Sequence, residues 1–434
     1  MAYLEIQGGR KLHGQIATQP TKNSALAILC AATAIQGVTT LKNVPNIEEV
    51  KRIIDLIKSL GVEVKWQGQG RLLVNASKKI NPAKLDKHAS INTRASLLLW
   101  GALAGRVKKF RLYKSGGCRL GTRTVRPHIY ALKKLGVNIT STETFYEAVN
   151  NKLRGAKIVM YESGDTTTEN VIMAAALAQG VTTLKMVSAN YMVQDLCHFL
   201  VAAGAKISGI GTATLIIEGV SKLKSVSGYP IMPDPIVSMT LLAAAIVTNS
   251  RLTITNCPLE FLELELEKLT VMGQKFKLKN KRLSKNGWFE VVDIEIIPSA
   301  LKALPDKIYG RPFPGLNIDN LPLFIPILAR ASGRTLVHDW AYDNRAVYAL
   351  ELQKLGAKIT LLDPHRLWVE GPAEFVANEV ICPPALRPAV NVLLCMLAAK
   401  GRSILRNPYE IDRGYENLYA LLNSAGARLK IKND

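Results

Sequence analysis

Gly37-Val38-Thr39-Thr40-Leu41 comes back, well over a hundred residues later, as Gly180-Val181-Thr182-Thr183-Leu184. Each copy follows an alanine-rich apolar stretch with helical spacing and opens an alternating run, the signature of a helix handing over to a half-buried strand. The same step recurs six times, at Ala34–Val44, Ala102–Tyr113, Ala176–Val187, Ala244–Cys257, Ala329–Trp340 and Ala398–Pro408. A second marker follows each step. Leu60-Gly61-Val62, Leu135-Gly136-Val137, Ala203-Gly204-Ala205, Met272-Gly273-Gln274, Leu355-Gly356-Ala357 and Ala425-Gly426-Ala427 each set a glycine after an apolar helical pattern and before another alternating run. A C′ glycine in the left-handed region ends a helix in this way.

One unit therefore reads helix, strand, helix, strand, with further strands such as Arg71–Asn75 and Thr214–Glu218 between units. Such a unit cannot bury both faces of its sheet alone. Six units in two groups of three solve that, with the alanine-rich helices, such as Asn170–Ala178 and Val390–Ala399, enclosed by sheet. The expected fold is α/β: a two-lobed inside-out barrel built from six βαββαβ-type repeats. The Gly-, Pro- and Ser-rich stretch Ser225–Pro233 reads as one crossover and Lys22-Asn23 as the other. The first lobe is expected over residues 22–229. The second combines 1–21, with strand Tyr3–Ile6, and 230–434. A cleft between lobes is the default place for a small-molecule site.

The chain has 434 residues, 48% of them hydrophobic and 6% aromatic, which suits an ordinary multi-domain globular protein. Its apolar runs are too short for a membrane span, and its start lacks the pattern of a secretory signal. Six scattered cysteines show no CxxC and no zinc-type spacing, so neither disulfides nor a metal is expected. Cys30, Cys197, Cys257 and Cys395 read as buried thiols, and a reducing cytoplasm fits. The formal charge of +22 admits nucleic acid, acidic lipid or anionic small molecules as partners. Lysine is spread along the chain, however, and the densest run, Gln274–Arg282, alternates Lys with Phe276 and Leu278 like a half-buried strand with a solvated face. Neither nucleic acid nor a membrane is the expected partner.

Gly116-Gly117-Cys118-Arg119-Leu120-Gly121-Thr122-Arg123-Thr124-Val125-Arg126-Pro127-His128 joins glycines, arginines and one thiol in a single loop. Glycine lets backbone approach a ligand. Arginine forks suit phosphate and carboxylate. Neighbouring cations favour a thiolate. The loop reads as an anion-binding segment with a reactive group, or else as a solvated basic loop.

With these repeats in place, the sequence resembles the enolpyruvyl transferases, and most of all their branch that acts on UDP-N-acetylglucosamine. The motifs that carry the resemblance are Thr21–Leu26, Thr93–Ser96, the Cys118 loop, Thr168-Glu169-Asn170, Pro233-Asp234, Asp343-Asn344-Arg345, Leu386-Arg387 and Ile411–Glu416. The resemblance implies transfer of the enolpyruvyl group of phosphoenolpyruvate to the 3′-hydroxyl of the amino sugar. Phosphate is released, with no cofactor, in the first committed step of peptidoglycan synthesis. It implies Cys118 as proton donor and fosfomycin target, Asp319 as base at the sugar hydroxyl, and Lys22 as a catalytic cation. It places Lys22, Asn23, Arg123, Arg345, Arg387 and Arg413 on phosphoenolpyruvate. Arg94, Arg123, Thr124, Val125, Arg126, Pro127, Gly164, Asp165, Asp319 and Ala341 fall on the UDP-sugar. Read from its residues alone, Asp319 also suits an N-cap of the apolar helix after it.

Three positions depart from that pattern. Glu162–Thr167 replaces a Ser-Val-Gly-type loop, Ala385 replaces an acid before Leu386-Arg387, and Arg126 replaces an Asp. Asp165 and Arg126 together read as a charge swap between loops. Other readings are the shikimate 3-phosphate transferase, a catalytically altered sugar-nucleotide-binding regulator, and a nucleic-acid-acting protein on related repeats.

Overall fold

The computed structural model describes residues 2–114 and 124–433. They divide into two compact units, one of residues 20–114 and 124–232, the other of 2–19 and 233–433. Among the described residues there are six sheets, five of four strands and one of three. Each unit holds three.

The four-stranded sheets share one plan. In the unit of residues 20–232, Lys157–Val159 lies parallel to Val181–Lys185, which pairs antiparallel with Thr214–Glu218, which pairs antiparallel with Lys206–Ser208. Tyr229–Pro230, Val38–Lys42, Leu72–Asn75 and Glu63–Trp66 repeat that order and those directions. The remaining sheets of this plan belong to the other unit, where one closes the chain on itself. There the N-terminal strand Ala2–Gly8 pairs antiparallel with both Gly401–Arg406 and Leu429–Asn433. The two Gly-Val-Thr-Thr-Leu copies run into equivalent strands, Val38–Lys42 and Val181–Lys185, each with its Thr-Leu pair facing the same way in the burial pattern.

The helix-ending glycines explain the regularity. Gly61, Gly136, Gly204, Gly273, Gly356 and Gly426 have φ of 90°, 101°, 91°, 86°, 89° and 97°. A Cβ is disfavoured there, so each turn from helix to strand depends on glycine.

Three helical segments form the centre of each unit. Lys22–Ala32, Leu99–Ala102 and Asp165–Ala175 pack on one another, as do Pro235–Val247, Phe324–Arg330 and Leu386–Ala398. Every residue of Pro235–Val247 is buried. Small side chains make such packing possible. A Cβ on Gly101 would lie 2.1 Å from the Asn170 carbonyl oxygen, so only glycine lets these two helices approach. Asn170 completes the junction: its Oδ1 accepts from Gly101 N at 2.7 Å and its Nδ2 donates to Leu97 O at 3.0 Å.

The basic strand departs from expectation. Lys275–Leu283 is exposed along almost its whole length, with only Phe276 half-buried, and Leu278 and Leu283 are 47% and 66% exposed. It is the edge strand of its sheet, and the core face closes one strand earlier, on Ile294 and Ile296 of Glu290–Ile297. Its lysines are solvated, and Lys279 and Arg282 pair with Glu295 and Asp293.

Candidate active site

In the unit of residues 2–19 and 233–433, three of the residues singled out from sequence meet. Asp319 lies in the turn before the 3₁₀ segment Leu321–Leu323. Its Oδ1 is 3.3 Å from Arg345 Nη1 and its Oδ2 3.6 Å from Arg387 Nη2. Asp319 is not a helix N-cap. That position belongs to Asn320, and the Asp319 side chain is turned to the arginines instead.

Neither arginine is free to wander. Arg345, 3% exposed, donates from Nη2 to the Ile318 carbonyl at 2.6 Å and lies 4.3 Å from the Tyr342 ring centre. It also forks onto Asp339, Nε to Oδ2 at 2.5 Å and Nη2 to Oδ1 at 2.8 Å. Burial pulls the guanidinium pKa down, but the charge and hydrogen bonds of Asp339 outweigh it, and the net shift is upward. Arg387 sits in the first turn of Leu386–Ala398 and donates to the Tyr415 hydroxyl at 2.7 Å. That hydroxyl is also 2.8 Å from Thr240 Oγ1. Ala385 is the N-cap residue of this helix and provides no side-chain cap. Arg413 lies on Tyr409–Gly414, which packs against Leu386–Ala398, and pairs with Glu410 at 3.2 Å. Ala341 is half-buried, four residues before Arg345.

The other unit holds the remaining described candidates. Lys22 opens helix Lys22–Ala32, and its Nζ is 2.5 Å from Glu49 Oε2. Asn23 donates to the Tyr191 hydroxyl at 2.9 Å. Arg94 donates to the Thr124 carbonyl at 3.3 Å, and Thr124 Oγ1 accepts from Arg126 N at 3.1 Å. Arg94 is thereby tied to the segment carrying Thr124, Val125, Arg126 and Pro127. Val125 is the N-cap residue of Arg126–Leu135, Arg126 is exposed and Pro127 is buried in the first turn. Gly164 is the N-cap residue of Asp165–Ala175. The Asp165 carboxylate accepts from Ser188 Oγ at 2.6 Å and Asn190 Nδ2 at 3.2 Å. Cys118 and Arg123 lie outside the described residues.

Helix Asp165–Ala175 also carries a buried acid. Glu169 is 2% exposed and its Oε1 has no hydrogen-bond partner; burial first, and the Asp165 charge second, push its pKa well above the ordinary carboxylate value. His128, against Asn170 and Trp100, is lowered to about 3 by burial and by Arg94. A groove of about 900 Å³ in this unit, lined by Arg106, Lys108, Asn150, Leu177 and Gly219 among others, contains none of the candidate site residues.

Reading the sequence missed Glu49, Asp339 and Thr240. Glu49 and Lys22 are 27 residues apart, and Asp339 lies six residues from Arg345, so no helical or strand period pairs them. The only available signal was an acid close to a motif arginine.

A family model described as EPSP synthase (3-phosphoshikimate 1-carboxyvinyltransferase) matches residues 6–422. The UDP-N-acetylglucosamine 1-carboxyvinyltransferase of Bradyrhizobium diazoefficiens is 35% identical over 98% of this chain and 97% of its own. UDP-N-acetylglucosamine 1-carboxyvinyltransferase 2 of Caldanaerobacter subterraneus is 32% identical over 98% and 99%. Among solved structures, the enolpyruvyl transferase NikO from Streptomyces tendae superposes with a TM-score of 0.87 at 23% identity, covering 100% of this chain and 99% of its own. EPSP synthase from Acinetobacter baumannii superposes with a TM-score of 0.77 at 18% identity, covering both chains fully.

Proposed function

The chain belongs to the enolpyruvyl transferase family and moves an enolpyruvyl group from phosphoenolpyruvate to an acceptor, and we propose that the acceptor is the 3′-hydroxyl of UDP-N-acetylglucosamine. One observation carries the site's part in this: the Asp319 carboxylate held by Arg345 and Arg387. Relatives bearing that activity in their names, alike from end to end, support the acceptor.

The chemistry follows from the groups. One proton goes to the methylene carbon of phosphoenolpyruvate as the sugar oxygen bonds to C2 and loses its own proton; from that tetrahedral intermediate the new methyl group gives a proton back as the C–O bond to phosphate breaks and the double bond re-forms. Asp319 takes the hydroxyl proton, and an oriented carboxylate suits that role. Arg345, Arg387 and Arg413 carry anionic oxygens of phosphoenolpyruvate, with Lys22, Asn23 and Arg123 completing its set. Charge on the leaving phosphate is what such fixed cations stabilise. Cys118 delivers the proton to carbon. Arg94, Thr124, Val125, Arg126, Pro127, Gly164, Asp165 and Ala341 receive the UDP-sugar. The reading includes two inside-out lobes of three repeats each, residues 22–229 and residues 1–21 with 230–434, in the cytoplasm, on the route to peptidoglycan.

The test is phosphate release. It should require both phosphoenolpyruvate and UDP-N-acetylglucosamine. Release with a different acceptor only would overturn the acceptor. Sugar-nucleotide binding without any release would favour the regulator, the reading that Ala385 supports.

A further inference from the structure

We propose that Glu265 is a positioning residue that holds Asp319 in working geometry, an inference that rests on the role just given to Asp319. Glu265 belongs to helix Glu263–Val271 and is 2% exposed. Among the described residues no cation forms an ion pair with it, and Lys268, three residues on, acts on it through its charge alone. Beyond its own backbone, its contacts go to the turn that carries Asp319: its Oε1 accepts from Asn320 Nδ2 at 2.8 Å and from Asn317 N at 3.3 Å. These two residues flank Ile318 and Asp319. The turn is then closed from within, since Asn317 Oδ1 accepts from Asp319 N at 2.9 Å and Asn317 O from Asn320 N at 2.9 Å and Leu321 N at 3.0 Å. On its other side Arg345 holds the Ile318 carbonyl and faces the Asp319 carboxylate.

The Asp319 turn is thus clamped by Arg345 on one side and by a buried carboxyl on the other. Burying a carboxyl without an ion-pair partner is costly, and an apolar side chain would fill the same space without that cost. What the apolar residue lacks is an acceptor for Asn320 and Asn317. Without it the turn relaxes, and a reacting group displaced by about 1 Å costs on the order of 100-fold in rate.

The experiment compares Glu265→Leu, Glu265→Gln, Asp319→Asn and the double variant E265L/D319N in the full chain, by phosphate release with phosphoenolpyruvate and UDP-N-acetylglucosamine. E265L should lower kcat about 10- to 100-fold while KM for phosphoenolpyruvate stays within about threefold. E265Q keeps an amide oxygen where Oε1 was and should recover most of the loss. In the D319N background, E265L should add less than about threefold, because it acts through the group already removed. An equal loss for E265L and E265Q, or a full additional loss in the D319N background, overturns the proposal. If D319N turns over normally, the role of Asp319 falls and that of Glu265 with it. If D319N is impaired and E265L is not, only Glu265 falls. Should E265L fail to fold, Asn320→Ala removes the same link from the other end and is read by the same split. A crystal structure of E265L, or of Asn320→Ala where E265L does not fold, decides the geometry without any turnover: Asp319 unmoved against Arg345 overturns the proposal.

Discussion

Asp339 grips Arg345 through two parallel hydrogen bonds, Nε to Oδ2 at 2.5 Å and Nη2 to Oδ1 at 2.8 Å, and both side chains are almost wholly buried. A guanidinium so placed is aimed by its partner. The fork leaves Nη1 for Asp319 and fixes the plane in which it points.

Removing that partner leaves the buried Arg345 cation with only the longer ion pair to Asp319. Asp339→Ala should cost about 3–5 kcal/mol of stability, and urea unfolding checks it. Asp339→Asn keeps one acceptor and should cost less. A loss within 0.5 kcal/mol for the alanine variant, as at an ordinary surface position, would mean that Arg345 finds other partners.

Lys22 and Glu49 form the opposite case, a pair in which each side chain is 19% exposed. Lys22→Met should lower turnover by on the order of 100-fold, the scale of losing one charge-stabilising donor. The melting temperature should shift little, because partly solvated pairs contribute about 1 kcal/mol or less. Unfolding of the variant would mark Lys22 as structural.

The five cysteines among the described residues are buried, and burial comes first among the causes that push all five thiols upward, Cys257 and Cys382 to about 12. Thiolates are the nucleophiles, so these should react slowly in the folded protein at neutral pH. One thiol should react fast, and mass spectrometry should place it on Cys118. A phosphonate-bearing epoxide should alkylate the same residue, and Cys118→Asp should abolish labelling. A label on Cys30, Cys197, Cys257, Cys382 or Cys395 would contradict this.

Two buried groups in the unit of residues 20–232 give stability opposite pH slopes. His128 is lowered to about 3 from 6.5, so below pH 6.5 the unfolded chain binds a proton that the native chain refuses. Its contribution is fully present above pH 6.5 and is lost as pH falls toward 3. Glu169 is raised well above 4.5, so above that pH the unfolded chain ionises while the native side chain stays protonated, and stability falls as pH rises. Glu169→Gln should therefore stabilise the protein at pH 7–8 and remove that downward slope in thermal melts taken from pH 5 to 8. Destabilisation at pH 8 would show that Glu169 is ionised and paired in the native chain.

Much of the fold was legible in the sequence because its determinants are local and repeated. A glycine after a helical pattern is needed wherever φ is positive, and six such glycines lie at the six places where helix gives way to strand. Alanine-rich helices without a polar face can only be interior, and Pro235–Val247 and Leu386–Ala398 are. The edge strand Lys275–Leu283 misled because period-two alternation reports a pleat, while burial depends on what covers the strand, and nothing in its own residues records that. Arg345, Arg387 and Asp319 could be picked out one by one from their motifs. Their meeting was decided by tertiary structure, which brings a turn, the start of one helix and a loop from distant parts of the chain within ion-pair distance. Asp339, Glu49 and Glu265 could not be assigned their partners beforehand for the same reason. A carboxylate's role depends on which donor it faces after folding, and that donor belongs to another segment at no fixed spacing.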